Sequence, residues 1–478
     1  MKKGRSLNGP LNGLRMYKKM HRLNDKISVE KRKKEYNAGM KFIHLADLHI
    51  GKRVNEFSMI DDQKFIFQQI LRIIEEEKPD GGVILAGDLY DKSVPSAEAV
   101  ELLDEFLVAL AERKVRVFAI SGNHDSAERI AFGNRLMDRS GIYLSPVYSG
   151  KIEPVTLEER TEEVSDAGLH PPVDIWMLPF IKPQLVRHLF PEEEVQSYTD
   201  AMRVAISHMN LRKDHRNLLI THQFVTGASH CDSEEISIGG TDNVDAEVFA
   251  PFDYVALGHL HGPQNIHFGG KTVSEKTEGE TVPENHVETV VEKSPEIGQK
   301  AMEENAEDTK LQGPVIRYSG TPLKYSFSEV NHKKSVTIVE IGEKNREDHA
   351  LITLRTVPLK PLHDLREIRG SYDEVMSRAF YSRFDPEDYM HVTLTDELDV
   401  PDAMGKLRTV YHNLMKLDYD NTRTRNSMEE TGELSDMEKK SPMELFQELY
   451  RKQNHQDMSE EQKTFLKEMM EGIWEDAE

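Results

Sequence analysis

The chain has 478 residues, 38% of them hydrophobic with 18 Phe and 15 Tyr, and carries a formal net charge of −23. That length implies two or three units, each with a core to fill. The acidity disfavours diffuse attraction to polyanions, so any nucleic-acid contact must come from local basic or metal charge. The one cysteine, Cys231, excludes an intrachain disulfide and a cysteine-based zinc site, and fits a reducing cytoplasm. No apolar run reaches the roughly 18 residues of a membrane span, and the basic N-terminus lacks the apolar stretch of a secretory signal.

Residues 1–39 hold twelve Lys/Arg against three Asp/Glu. They read as a disordered basic extension, or as sequence upstream of a true start at Met40; a DNA-contacting arm is the sharper alternative. From Met40 the pattern alternates. Phe42–Ala46 is a strand; Phe65, Ile66, Ile70, Ile73 and Ile74 recur at helical spacing; Val83–Leu85 is a second strand. Val100, Leu102, Leu103, Phe106, Leu107 and Leu110 mark a second helix, and Val115–Ile120 a third strand. Strands alternating with helices imply βαβ units and parallel pairing. Two later runs, Leu218–Ile220 and Tyr254–Leu257, repeat the strand signal.

Each of these five strands ends in a short polar motif. The motifs are Asp47-Leu48-His49, Gly87-Asp88, Gly122-Asn123-His124-Asp125, His222 and Gly258-His259-Leu260-His261. In open α/β sheets functional groups collect at the carboxyl ends of strands. Taken singly, each motif is commonly only a turn; in register at five strand ends they point to one site. Asp47, His49, Asp88, Asn123, His222, His259 and His261 supply enough oxygen and nitrogen ligands for two metal ions sharing a carboxylate. Such a set without thiolate suits Mn²⁺, Fe²⁺ or Zn²⁺. Two ions about 3.5–4 Å apart clamp the attacking and leaving oxygens of a phosphoryl displacement. Asp88 is a suitable bridge because its two oxygens can hold both ions. His124, beside the neutral ligand Asn123, is left to donate a proton or stabilise the leaving oxygen. His44, His208, His230 and His267 lack this context and read as structural or surface residues; Asp91 and Asp125 read as loop braces or partners of nearby histidines.

Residues 271–313 contain eleven acidic residues, five lysines and no aromatic residue. They read as a disordered or extended insertion in a domain spanning 40–345. Residues 356–419 follow as a small α/β unit with Tyr389–Leu394 as its clearest strand. The tail 420–478 carries two helix starts, Ser441-Pro442-Met443-Glu444 and Ser459-Glu460-Glu461-Gln462. Phe465, Leu466, Met469, Met470, Ile473 and Trp474 form an apolar stripe that either covers the chain's own core or docks a partner.

The ordered motifs resemble those of the calcineurin-like metallophosphoesterases. That resemblance implies an α/β (α+β) fold, a two-sheet sandwich flanked by helices. It also implies a ligand partition: Asp47, His49, Asp88 and His261 on one ion; Asp88, Asn123, His222 and His259 on the other; His124 catalytic. Asp91 is followed by Lys92, where protein Ser/Thr phosphatases carry arginine, and the third motif ends in Asp125 rather than glutamate. The stretches Phe42–Arg53, Trp176–Phe180, Tyr254–Pro263 and Arg317–Glu329 are similar to the SbcD family. This family implies a Mn²⁺-dependent nuclease, with Mg²⁺ and Fe²⁺ as alternative ions. It implies an SbcC-type coiled-coil ATPase as partner and two copies of each chain in a heterotetramer. The activity implied is ATP-regulated 3′→5′ exonuclease action on double-stranded DNA, with endonuclease action on single strands and hairpins, in DNA repair and recombination near the nucleoid. The 356–419 unit would then cap the DNA. A phosphoesterase acting on a small phosphodiester or nucleotide is the alternative. The basic extension, the acidic insertion and the long tail depart from the usual family pattern.

Overall fold

The apolar run that opens the ordered chain is β1 (Met40–Leu45) of a computed structural model. It describes residues 39–158, 171–229, 231, 234, 243–266, 309–344, 349–425, 442–454, 456–463, 465–466 and 469–470. Beyond β1 lie a two-stranded ribbon, β2 (Arg53–Val54) with β3 (Phe57–Ser58), and then α1 (Ile60–Glu77), β4 (Gly82–Ala86), α2 (Ala97–Glu112), β5 (Val117–Ile120) and β6 (Ile142–Leu144). β1, β4, β5 and β6 pair in parallel, as the alternation predicts.

A second sheet begins with β7 (Val155–Leu157) and β8 (Val173–Met177). After α3 (Pro183–Leu189) and α4 (Tyr198–Ser207) it continues with β9 (Arg216–His222), β10 (Tyr254–Gly258) and β11 (Gln264–Ile266). β12 (Thr309–Gln312) belongs to the first sheet, whereas β13 (Val315–Tyr318) returns to the second. β14 (Ser335–Ile341) and β15 (Leu351–Pro358) then extend the first sheet antiparallel to β1. The two sheets run β12-β15-β14-β1-β4-β5-β6 and β11-β13-β10-β9-β8-β7.

Side-chain alternation explains the layering. Ile43, Leu45, Val83 and Leu85 point outward onto α1 and α2 with Ile66, Ile70 and Phe106. Phe42, Ala46, Ile84 and Ala86 point inward against Leu218, Ile220, Tyr254 and Ala256. The outer face of the second sheet buries Trp176, Leu219, Val255 and Leu257 beneath α3 and α4. Central strands are thus covered on both faces, which is why they read as unbroken apolar runs. α2 starts at Ser96, whose side chain accepts the Ala99 N–H. Its expected stripe needs one correction: Val100 is exposed, and Ala99 takes the buried position.

The small unit is a parallel sheet of β16 (Leu365–Gly370), β17 (Tyr389–Leu394) and β18 (Asn413–Tyr419). It is pinned to the sandwich through α1: buried Asp62 accepts the Tyr389 O–H at 2.7 Å and the His363 N–H at 3.1 Å. Two expected boundaries shift. The sandwich extends past 345 to Pro358, because β15 pairs with β14 along its whole length. The expected insertion 271–313 ends early, because 309–312 form β12 on the edge of the first sheet, paired with β15; Leu311 packs between the sheets. Local composition hid that strand, since its pairing partners lie 39 to 45 residues further along the chain. Residues 271–308 of the insertion and the basic extension before Gly39 fall outside the described residues.

The tail contributes α5 (Pro442–Asn454), which begins at the expected proline and exposes Phe446 and Leu449. Of the second stripe, Leu466 is buried while Phe465 and Met469 are exposed; Ile473 and Trp474 lie outside the described residues. Among the described residues no helix is long and apolar enough to cross a membrane.

Candidate metal centre

All five polar motifs emerge at one end of the sandwich, where the carboxyl ends of β1, β4 and β5 face those of β9 and β10. The backbone turns sharply there. Asp47, His49, Asp88 and His259 adopt positive φ values of 53°, 43°, 49° and 101°. Each such residue costs on the order of 1–3 kcal/mol and persists only where its surroundings hold it. Pairing between the exits of β1 and β4 does so here: the Asp47, His49 and Ile50 N–H groups donate to the carbonyls of Gly87, Asp88 and Leu89. The glycines serve close approach. A Cβ on Gly122 would stand 2.1 Å from Asp88 Oδ1, and one on Gly258 would stand 2.0 Å from the Ala86 carbonyl oxygen.

The side chains converge around Asp88. Its Oδ2 lies 3.3 Å from His222 Nε2, 3.7 Å from His49 Nε2 and 3.9 Å from His124 Nε2. On one side His49 Nε2 faces His261 Nε2 at 3.2 Å. On the other, Asn123 Oδ1 lies 2.9 Å from His222 Nε2 and 3.0 Å from His259 Nδ1. Ligand atoms about 2.1 Å from a shared first-row ion stand roughly 3 Å apart, so these separations suit a cation between them. Asp47 Oδ1 accepts the His259 N–H at 2.8 Å, while Oδ2 is buried with no hydrogen-bond partner among the described residues. His49, Asp88 and His124 form one potential ion-binding group, and Asp47, Asp88 and His222 another; Asp88 belongs to both.

The electrostatics match a site built for cations. Burial, with the neighbouring His261 and His124, holds His49 well below its ordinary value. Burial and His222 push His259 down to about 3. Burial pushes Asp47 well up, with the negative charge of Asp88 adding to it. Burial works against a charged His222, yet Asp88 and Asp47 outweigh it and raise His222 to about 9. A positive His222 thus sits between two buried carboxylates, where a bound cation would supply the charge instead, and neutral His49 and His259 stand ready as ligands. The donor set fits divalent ions.

Each sequence-predicted residue reaches this cluster. His124 is only partly buried, at 15% side-chain exposure, and its ring packs edge-on to His49. Asp125 accepts the N–H groups of Leu89, Tyr90 and Gly122 and so braces the loop carrying Asp88. Asp91 stands 3.8 Å from His49 Nδ1 and pairs with Lys52. His44 is buried in β1 against Tyr254, and His208 stacks on Phe190; His230 and His267 lie outside the described residues.

Sequence reasoning missed a supporting layer. Gln63 donates to the His49 carbonyl and accepts the Gly51 N–H. Tyr325 donates to the Leu48 carbonyl and packs on His49. Glu329 accepts from His261. Gln63 sits inside an amphipathic helix and leaves no local signal; Tyr325 and Glu329 lie within the stretch Arg317–Glu329, singled out only by resemblance.

Comparison with known proteins agrees with this geometry. The family of calcineurin-like phosphoesterases matches residues 40–263. A family described as the type 5 capsule protein repressor C-terminal domain (SbcD_C) matches 361–454. A Staphylococcus epidermidis protein, named as the D component of the nuclease SbcCD, is 29% identical over 441 residues, covering 91% of this chain and 99% of its own. The Staphylococcus saprophyticus protein of the same name is 29% identical over 382 residues, covering 79% and 84%. With the sandwich, the convergent ligand set and both matched segments in place, the chain carries a calcineurin-like phosphoesterase domain over residues 40–263, is similar to proteins named SbcD over most of its length, and is a metal-dependent phosphoester hydrolase.

Proposed function

We propose that this chain is the nuclease component of a complex with an SbcC-type coiled-coil ATPase, cutting DNA phosphodiesters at a two-ion centre. One ion is held by Asp47, His49, Asp88 and His261, the other by Asp88, Asn123, His222 and His259. The observation that carries this is the position of Asp88 Oδ2 between His49 Nε2 and His222 Nε2, 3.7 Å and 3.3 Å away. Mn²⁺ is the ion proposed for both positions, as suits carboxylate and imidazole ligands without thiolate. Two such ions, when bound, stabilise the negative charge that builds on the phosphodiester and activate water for attack.

The protein's own groups do the rest. Asp88 keeps the two ligand halves together, and buried neutral His49 and His259 present nitrogen lone pairs. Asp47 Oδ1 lies 3.9 Å from His222 Nδ1 and holds the His259 backbone, while its Oδ2 is left to face an ion. His124 is partly exposed with Nε2 3.9 Å from Asp88 Oδ2, and delivers a proton to the leaving oxygen. The unit around β16–β18, fixed to α1 by Asp62, guides duplex DNA toward the centre, and the tail from Ser441 onward docks the ATPase. Support for the DNA substrate comes from the Staphylococcus relatives, each named as one component of a nuclease. The assembly proposed is two copies of each chain, acting in the cytoplasm as an ATP-regulated 3′→5′ exonuclease on duplex ends and an endonuclease on single strands and hairpins, in DNA repair and recombination.

The test is hydrolysis with Mn²⁺ of end-labelled duplex DNA and of an aryl phosphodiester, with and without the ATPase and ATP. Duplex shortening from 3′ ends that responds to the ATPase is the expected result. Robust aryl hydrolysis without DNA cleavage, even with the partner present, would instead favour a small phosphodiester or nucleotide as substrate. Deletion of 441–478 should weaken ATPase binding and leave metal content unchanged; undiminished binding refutes docking through the tail.

A further inference from the structure

Behind His261, on the side away from His49, lies a buried ion pair that the hydrolytic chemistry does not use. Glu329 closes the single turn Phe327–Glu329 and is fully buried; Lys334 is 5% exposed. Lys334 Nζ lies 2.5 Å from Glu329 Oε2, 2.6 Å from Thr321 Oγ1 and 2.9 Å from the His261 carbonyl oxygen. Those contacts engage all three ammonium protons. The other carboxylate oxygen, Oε1, lies 3.1 Å from His261 Nδ1 and 3.3 Å from the Tyr325 N–H nitrogen. Replacing a buried ion pair by apolar side chains of similar volume is often neutral or stabilising, so stability alone gives no reason for this pair. Its two members share one target: Lys334 holds the backbone of His261 and Glu329 holds its ring.

We propose that Glu329 is a positioning residue of the metal centre: by accepting the Nδ1–H of His261 it commits the Nε2 lone pair to the point faced by His49 Nε2, with Lys334 locking the carboxylate. A neutral imidazole carries one ring proton. Placed on Nδ1, that proton leaves Nε2 a ligand, and a carboxylate acceptor also raises its basicity. The other tautomer would aim an N–H at the 3.2 Å gap to His49 and leave Glu329 Oε1 against a lone pair. Glu329 faces the opposite ring nitrogen from His49, so it acts through His261 and does not share the ion with His49.

This inference rests on the two-ion reading, and the experiment separates the two. Metal-free wild type and the double variant E329L/K334M are titrated with Mn²⁺ by calorimetry, with thermal unfolding as the fold control. The double variant should unfold at or above the wild-type temperature and lose affinity at one of two sites by about 10–100-fold, with hydrolysis recovering at excess Mn²⁺. Two unchanged affinities in a folded double variant overturn the proposal; fewer than two ions in wild type overturn the two-ion reading instead. Should the double variant fail to fold, imidazole ¹⁵N NMR of metal-free wild type decides, with His261 assigned by its loss in H261Q. An Nδ1–H tautomer supports the proposal, and an Nε2–H tautomer overturns it.

Discussion

His49 and His261 leave different sheets, from the ends of β1 and β10, yet their Nε2 atoms face each other at 3.2 Å. Without a cation between them, one nitrogen must carry a proton or two lone pairs must oppose. An ion that binds only the folded state adds stability through this contact, about 2.7 kcal/mol at a free concentration a hundredfold above its Kd. Chelation should therefore lower the unfolding temperature, and Mn²⁺ should restore it in a concentration-dependent way. An unfolding temperature indifferent to both would refute a cation bridging the sheets.

His124 touches the cluster through its backbone as well as its ring, its N–H donating to Asp88 Oδ1 at 3.0 Å. Removing the ring leaves that bond intact. His124→Ala should keep its metal content, measured by atomic emission, while phosphodiester hydrolysis falls about 10²–10⁴-fold. Lost metal in this variant would make His124 a ligand.

Gly258→Ala tests the close approach of the two sheets. The added methyl would meet the Ala86 carbonyl oxygen at 2.0 Å and His222 Nδ1 at 2.7 Å. Such overpacking costs on the order of 1–3 kcal/mol, and the strain falls on the backbone that aims His222. Calorimetry should show a lowered unfolding temperature together with weaker metal binding; wild-type values for both would mean that the contact relaxes freely.

His44 gives a pH dependence separate from the ligands. Burial, with the positive charge of Arg317, lowers it from 6.5 to about 3, and its Nδ1 lies 2.9 Å from the Tyr254 hydroxyl. The folded protein thus keeps His44 neutral where the unfolded chain takes up a proton. Its contribution to stability is fully present above pH 6.5 and is lost as pH falls from 6.5 toward 3. Between about pH 7 and 5 wild type should lose on the order of 2 kcal/mol more stability than His44→Gln. Parallel losses in denaturant unfolding would show that His44 does not titrate this way.

Much of the architecture was legible because buried parallel strands write themselves as apolar runs. Phe42–Ala46, Val83–Leu85 and Tyr254–Leu257 each ended in polar residues that proved to share one rim. What stayed hidden depends on long-range pairing. β12 looked like part of an acidic insertion because only β15 makes 309–312 a strand, and β15 itself carried the sandwich past its expected boundary. Gln63, Glu329 and Lys334 have ordinary sequence surroundings; their roles arise from meeting His49 and His261 across the fold. Val100 fitted the helical spacing but faces solvent, because period alone does not say where the stripe ends.

In the proposed centre Asp88 joins two ions. Electron paramagnetic resonance of the Mn²⁺-loaded protein, wild type against Asp88→Asn, reads that bridge. Two ions per chain with an exchange-coupled signal in wild type, and loss of both coupling and phosphodiester hydrolysis in the variant, are the predicted results. A single ion or two uncoupled ions in wild type, or coupling that survives in Asp88→Asn, would contradict it.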